Sequence, residues 1–297
     1  MNAIAPAVAT AERLSTSDRF QRYYEEAGPD YAAWSPGFNM HFGFFRSGMN
    51  PLRREAMLEQ MNREVLDRLQ ADRISSPRLL DMGCGLGATL RSFACRRPSA
   101  QLTGITLSPW QFEQGTRLNR QGPEGSSIRI LVGDYENTSQ PSESFDGICA
   151  IESSCYASGA NKSAFLREAH RLLRPGGRLV VADGFIGGAS CAGWQKAVYR
   201  RLCECWVIDD LGEIDPFAAE LERTGFRNVA IEQVQARVTP SVLHVPWVTL
   251  RFLFSTAMSH RRMTRARWNN VLAPLLLPLV GYPLGPLAYY IISATRI

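Results

Sequence analysis

Leu79-Leu80-Asp81-Met82-Gly83-Cys84-Gly85-Leu86-Gly87-Ala88-Thr89-Leu90 decides how the rest of the chain is read. An apolar run ends on an acid, three alternating glycines follow, and a helix-forming segment begins. The run predicts a short buried strand ending at Asp81. Gly83, Gly85 and Gly87 allow positive φ and close ligand approach. The following helix aims its N-terminal N–H groups back into the same crevice. A small cofactor therefore belongs at the carboxyl end of the first strand of an open α/β sheet. The dinucleotide spacing G-x-G-x-x-G is not met, because Ala88 follows Gly87.

From residue 78 onward, strand and helix signals alternate, which predicts a mostly parallel sheet. Strands are expected at Arg78–Met82, Gln101–Leu107, Ser127–Val132, Phe145–Ile151, Arg178–Asp183, Asn228–Gln233 and Leu287–Thr295. Helices are expected at 87–97, 109–120, 161–173 and 215–224, the last opened by Asp215 as N-cap and Pro216 at the first position. Ahead of the sheet, residues 1–15 read as a flexible lead and Thr16-Ser17-Asp18 as helix caps. An aromatic segment runs from Tyr23-Tyr24 through Trp34 to Phe45, and 51–71 reads as an amphipathic helix with Leu58, Met61, Val65 and Leu69 on one face. Segments 186–212 and 236–285 are left over as insertions. Val271–Ile292 is strongly apolar but broken by Pro274, Pro278, Pro283 and Pro286, so a flap followed by a final strand is expected there, not a spanning helix. These boundaries divide the chain into a lid (1–75), a cofactor-binding core (76–235), a cap insertion (236–285) and a last core strand (286–297).

The 297 residues suit one domain with insertions, and an apolar share of 45% supports a large core. A net charge of +5 is mildly basic and too weak for a nucleic-acid footprint, so no nucleic-acid partner is expected. The seven cysteines have no metal spacing; Cys203-Glu204-Cys205 is too tight for a C-x-x-C site. They read as reduced thiols of a cytoplasmic protein, with no metal centre and no signal peptide expected.

The D-x-G-x-G-x-G run resembles the first motif of class I S-adenosyl-L-methionine (SAM) methyltransferases. Three later stretches extend the resemblance. Gly104-Ile105-Thr106-Leu107-Ser108-Pro109-Trp110-Gln111 is similar to the G-x-T-L-S-x-x-Q run of the cyclopropane-fatty-acid synthase group. Gly133-Asp134-Tyr135 follows the third strand, and Arg174-Pro175-Gly176-Gly177 resembles the L-(R/K)-P-G-G motif of these enzymes. The resemblance covers about two-thirds of the chain. It implies a Rossmann-like seven-stranded sheet whose seventh strand inserts antiparallel beside the fifth, and it implies SAM as cofactor and S-adenosyl-L-homocysteine as product. Cofactor contacts are implied for Tyr24, Asp81, Gly83, Cys84, Gly85, Gly87, Thr106, Leu107, Gln111, Asp134, Tyr135 and Ile151. Asp134 is the adenine candidate, with a turn-capping role as its alternative.

Ile151-Glu152-Ser153-Ser154-Cys155-Tyr156 is similar to the I-E-(A/S)-(T/S)-C-H run of sterol methyltransferases, with Tyr156 in place of the histidine. Tocopherol and prenyl diphosphate C-methyltransferases carry an acid at the same place. Glu152, His41 and Tyr156 are the catalytic candidates. Glu152 can stabilise a carbocation or remove its proton, or it can simply hold cofactor or backbone. His41 can equally be a satisfied lid residue. The glutamate–histidine pair of cyclopropane synthases is missing, so methyl addition followed by proton loss is expected. The implied acceptor is a terpenoid, sterol-like or prenylated molecule, with O- or N-methylation of a specialised metabolite as the alternative. Arg251, Arg261, Arg262, Arg265 and Arg267 can hold a diphosphate, touch anionic lipid at a membrane periphery, or stay solvated. Homo-oligomer formation is left open.

Overall fold

The computed structural model describes residues 18–122, 125–187 and 193–297. The expected lead and the Thr16-Ser17 caps lie outside them. Seven strands form one sheet in the order β3-β2-β1-β4-β5-β7-β6. They are β1 (Arg78–Met82), β2 (Gln101–Thr106), β3 (Ile128–Val132), β4 (Phe145–Ile151), β5 (Leu173–Ile186), β6 (Phe226–Gln233) and β7 (Leu287–Arg296). β1 to β5 pair in parallel, and β7 runs antiparallel between β5 and β6. Parallel strands covered on both faces read as continuous apolar runs, and Leu79-Leu80 shows why. Leu79 packs beneath Met61 and Val65, whereas Leu80 packs on the opposite face with Phe165 and Phe217.

The helices are α1 (18–27), α2 (Tyr31–Trp34), α3 (Arg54–Leu69), α4 (Ala88–Arg96), α5 (Pro109–Asn119), α6 (Ser163–Leu172), α7 (Trp194–Trp206), α8 (Ile214–Thr224), α9 (Gln235–Val242), α10 (Val245–Met258) and α11 (Arg265–Val280). α3 buries Leu58, Met61, Val65 and Leu69, the stripe its spacing implies. α8 begins one residue before the expected cap, so Glu213 occupies the cap position and Asp215-Pro216 lie in the first turn.

Three expectations need correction. β5 starts at Leu173, not Arg178, because Leu173 already pairs with Phe145 and the glycines are absorbed as an irregularity, with Gly176 at φ +80°. β6 starts at Phe226, with a register shift after Arg227 where Asn228 takes φ +52°. The C-terminal insertion is three helices and not a loose flap: α11 continues through Pro274 and Pro278 to Val280. Each proline lacks an N–H, so the carbonyls of Asn270 and Pro274 lose their usual intrahelical donors. Asn270 and both prolines lie on the side of α11 that lines a cavity.

α7 and α11 pack together through Leu202, Leu276 and Val280. α1 crosses the carboxyl edge of the sheet. Its Gln21 donates to the Leu107 carbonyl at 3.2 Å, and Tyr23 donates to Asn270 Oδ1 at 3.0 Å.

Candidate active site

Two cavities meet at the carboxyl edge of the sheet. The smaller, about 70 Å³, lies over the glycine turn. Backbone geometry builds it. Gly83 and Cys84 both donate their N–H to the Ile105 carbonyl at 3.0 Å, which draws the turn towards the end of β2. Gly83 sits at φ +96°, and a Cβ there would lie 2.4 Å from the Ser153 Cβ, so only glycine lets the end of β1 approach the end of β4 this closely. Asp81 points into this crevice. Burial, opposed in part by the Cys149 thiol, pushes its carboxyl up to about 7. A buried acid without a cation beside it suits a ligand that brings its own donors.

At the end of β2, Ser108 caps α5 by accepting from the Gln111 N–H, and Thr106 Oγ1 donates to Gln111 Oε1 at 2.5 Å. This turns Gln111 inward, where it is buried. Its amide nitrogen has no protein partner among the described residues. Tyr135 donates to the Ser153 carbonyl at 2.7 Å and closes the far wall. Of the expected cofactor residues, Tyr24, Asp81, Gly83, Cys84, Gly85, Thr106, Leu107, Gln111, Tyr135 and Ile151 line the crevice. Gly87 and Asp134 do not. Gly87 is the N-cap residue of α4 at φ +75°, and Asp134 accepts the Glu136 N–H at 2.8 Å within its own turn.

The larger cavity, about 390 Å³, lies between the sheet edge, α2 and the inserted helices α9, α10 and α11. Its walls are mainly Val, Leu, Phe, Pro, Tyr and Trp, and among the described residues no Lys or Arg lines it. Of the five expected arginines, Arg267 is buried against Asp30 at 2.7 Å and stacks over Phe252; the other four are exposed. Among the described residues the chamber walls therefore offer a diphosphate no cationic side chain.

Glu152, His41, Tyr24 and Tyr156 line both cavities. Glu152 is the first residue past β4 and adopts φ +48°, an uncommon conformation for a side-chain-bearing residue. Its N–H donates to the Ala182 carbonyl at 2.9 Å. Its Oε1 accepts from the Phe42 N–H at 2.6 Å and from the Tyr289 hydroxyl at 2.9 Å. Oε2 has no protein partner among the described residues. Burial dominates its ionisation and, with the nearby Asp183 charge, pushes the carboxyl up to about 8 against the two hydrogen bonds. A carboxyl poised near neutrality beside an apolar chamber is a proton acceptor in waiting.

The other two catalytic candidates are held differently. Both ring nitrogens of His41 are engaged, Nδ1 with the Phe42 carbonyl at 2.9 Å and Nε2 with the Asn62 side chain at 3.1 Å. Burial lowers its pKa. The imidazole thus fixes the strand of chain that presents the Phe42 N–H to Glu152, and a proton-transfer role for His41 finds no free nitrogen. Tyr156 donates to the Trp206 carbonyl at 3.1 Å and lies 3.3 Å from the Tyr24 hydroxyl. Burial raises it well above the ordinary phenol value, so it stays protonated and acts as a wall.

Sequence reasoning missed Tyr289 and Asp183. Tyr289 lies inside a strand whose residues all looked alike, and only its register opposite Gly184 aims it at Glu152. Asp183 lies inside β5 opposite Tyr290, accepts from Ser154 Oγ at 2.7 Å, the Cys155 N–H at 3.0 Å and the Gly184 N–H at 2.8 Å, and lines the chamber. Its flanking sequence carries no turn or motif signal.

Residues 80–181 match a family model described as a methyltransferase domain. The chain is 30% identical over 207 residues to an O-methyltransferase of Pyrenophora dematioidea, an alignment covering 68% of this chain and 73% of the relative. The chain belongs to the SAM-dependent methyltransferases. This methyltransferase is also 33% identical over 171 residues to a 2-methyl-6-phytyl-1,4-hydroquinone methyltransferase of Synechocystis sp., an alignment covering 57% of this chain and half of the relative's length. In fold it resembles the geranyl diphosphate C-methyltransferase of Streptomyces coelicolor A3(2), solved with Mg2+, geranyl diphosphate and S-adenosyl-L-homocysteine. The TM-score is 0.69 at 16% identity, over 95% of this chain and 98% of that one.

Proposed function

We propose that this methyltransferase adds a methyl group to a carbon of a neutral, apolar, prenylated or terpenoid acceptor, with Glu152 as the base. One observation carries the reading. A buried carboxyl with its pKa near 8 stands where the glycine-turn crevice meets a mainly apolar chamber that no Lys or Arg lines among the described residues. In this assignment Asp81, Gly83, Gly85, Thr106, Leu107 and Gln111 hold SAM, which supplies an electrophilic methyl group. The transferred methyl would leave sulfur with its bonding pair staying on S-adenosyl-L-homocysteine, the acceptor's π electrons would form the new carbon–carbon bond, and the positive charge would pass to the acceptor. Tyr24, Tyr31, Trp34 and Phe42 line the chamber and can favour such a cation through their rings. The acceptor's C–H proton then leaves to Glu152, and its electron pair restores the double bond or ring. Tyr289 and the Phe42 N–H hold the carboxylate for that step. Segment 1–75 serves as the lid, 76–235 with 286–297 as the cofactor core, and 236–285 as the acceptor cap.

The Synechocystis relative, named for a phytylated hydroquinone, supports a prenylated aromatic acceptor over a prenyl diphosphate. A second reading has support of its own. The Pyrenophora relative is named an O-methyltransferase, and a carboxylate with this pKa also suits removal of a phenolic proton. A panel of long-chain prenylated hydroquinones and short water-soluble phenols tests the proposal. We expect kcat/KM to rise with prenyl length. A preference for the short phenols would overturn it.

A further inference from the structure

The chain from Gln233 to Ile297 contains seven arginines and no Asp, Glu or Lys, more positive charge than the net +5 of the whole molecule. It contains the three helices that cap the chamber. α10 is apolar on both sides. Val245, Val248 and Phe252 face the chamber. Trp247, Leu250, Phe254 and Met258 recur at steps of three and four on the opposite face, with Trp247 60% and Phe254 69% exposed. A helix without a polar face is at rest in water only if a second apolar surrounding covers it. No helix among the described residues is long and apolar enough to cross a membrane, so this one can lie only along a surface.

Two features say what that surface is. Arg251, Arg261, Arg262 and Arg265 are exposed on and just after the stripe and make no ion pair among the described residues. The stripe also runs to the mouth of the chamber. Leu243, one turn before Trp247, is 72% exposed and lines the cavity, as do the exposed Tyr282 and Leu284.

We propose that the outer face of α10 docks the methyltransferase on an anionic bilayer, with its apolar side chains among the acyl chains and its arginines at the headgroups. The mouth at Leu243 and Leu284 then faces the lipid, and an apolar acceptor enters the chamber without crossing water. This last step rests on the acceptor reading given above; the docking does not.

Vesicle flotation of the full chain tests it, using phosphatidylcholine alone and phosphatidylcholine with roughly a third phosphatidylglycerol. We expect binding to the anionic vesicles that weakens with added salt. Trp247→Ser with Phe254→Ser should lower partitioning by about tenfold or more. Arg261→Gln, Arg262→Gln and Arg265→Gln should each lower it by roughly fivefold. None of these residues lines either cavity, so calorimetric binding of S-adenosyl-L-homocysteine should be unchanged and shows that the variants are folded. Absence of vesicle binding by the parent protein would overturn the proposal. So would a concentration-dependent dimer that Trp247→Ser and Phe254→Ser dissociate without any loss of vesicle binding, since the stripe would then join two copies. Product formation is read separately, so neither result touches the assignment of the acceptor.

Discussion

The crevice over the glycine turn is assembled from strand ends and first helical turns. The chamber beyond Glu152 is assembled from side chains of helices inserted ahead of the last strand. The crevice is narrow and rich in backbone polar groups, and its geometry is fixed by a few hydrogen bonds such as Gly83 and Cys84 onto the Ile105 carbonyl. The chamber is more than five times larger and mainly apolar. The difference shows how one sheet can keep a fixed methyl donor and change the acceptor. The first site depends on main-chain conformation, which few substitutions preserve. The second depends on volume and hydrophobicity, which many side chains satisfy.

This contrast can be broken at Glu152 first, where the largest effect is expected. Glu152→Gln keeps the shape and removes the proposed base. Turnover should fall by about 10²–10⁴-fold, while calorimetric affinity for S-adenosyl-L-homocysteine stays within about twofold. Loss of cofactor binding in this variant would move Glu152 to the crevice side of the comparison. Gly83→Ala is the opposite probe. Its Cβ would meet Ser153 at 2.4 Å, and φ +96° strains any side-chain-bearing residue. Cofactor affinity should drop steeply and the melting temperature with it, by about 2 kcal/mol of stability, with the acceptor preference unchanged.

Ionisation sharpens the boundary further. Glu152 stands at about 8 in the fold against 4.5 ordinarily. The fold therefore favours the protonated acid. That contribution to stability is complete below about pH 4.5 and is lost as the pH rises through about 8. Glu152→Gln cannot ionise, so its melting curve should match the parent at pH 4.5 and lie a few degrees higher at pH 9. The parent's kcat should rise with pH through the same region as the carboxylate forms. Tyr289→Phe gives a smaller effect. Removing that donor removes a group that favours the carboxylate, so the kcat profile should shift to higher pH, with a loss of about tenfold at pH 7. An unshifted profile would separate Tyr289 from the base.

How much of this was legible in the sequence follows the same division. The strands and most of the crevice are visible because strands and glycine turns impose short-range patterns: Asp81 to Gly87, Thr106 to Gln111 and Arg174 to Gly177 each carry their own signal, whereas the place of the last strand beside the fifth comes only from the family resemblance. Glu152 is visible because it abuts a strand end. The chamber is not visible in the same way. α11 carries two prolines that argue against a helix, yet it persists with both on the side that lines the chamber while Leu276 and Val280 pack against α7. Tyr289 reaches Glu152 across 137 positions of sequence, and His41 meets Asn62 only after the lid folds back onto α3. Such pairings depend on strand register and helix docking, which a local pattern does not encode.

The most direct test of the account is the fate of the methyl carbon. A prenylated hydroquinone is incubated with the enzyme and SAM carrying a 13C-labelled methyl group, and the product is examined by 13C NMR. We expect a methyl resonance bonded to a ring carbon, formed about 10²–10⁴-fold more slowly with Glu152→Gln. A methoxy resonance from the same acceptor would contradict it and assign the chamber to O-methylation.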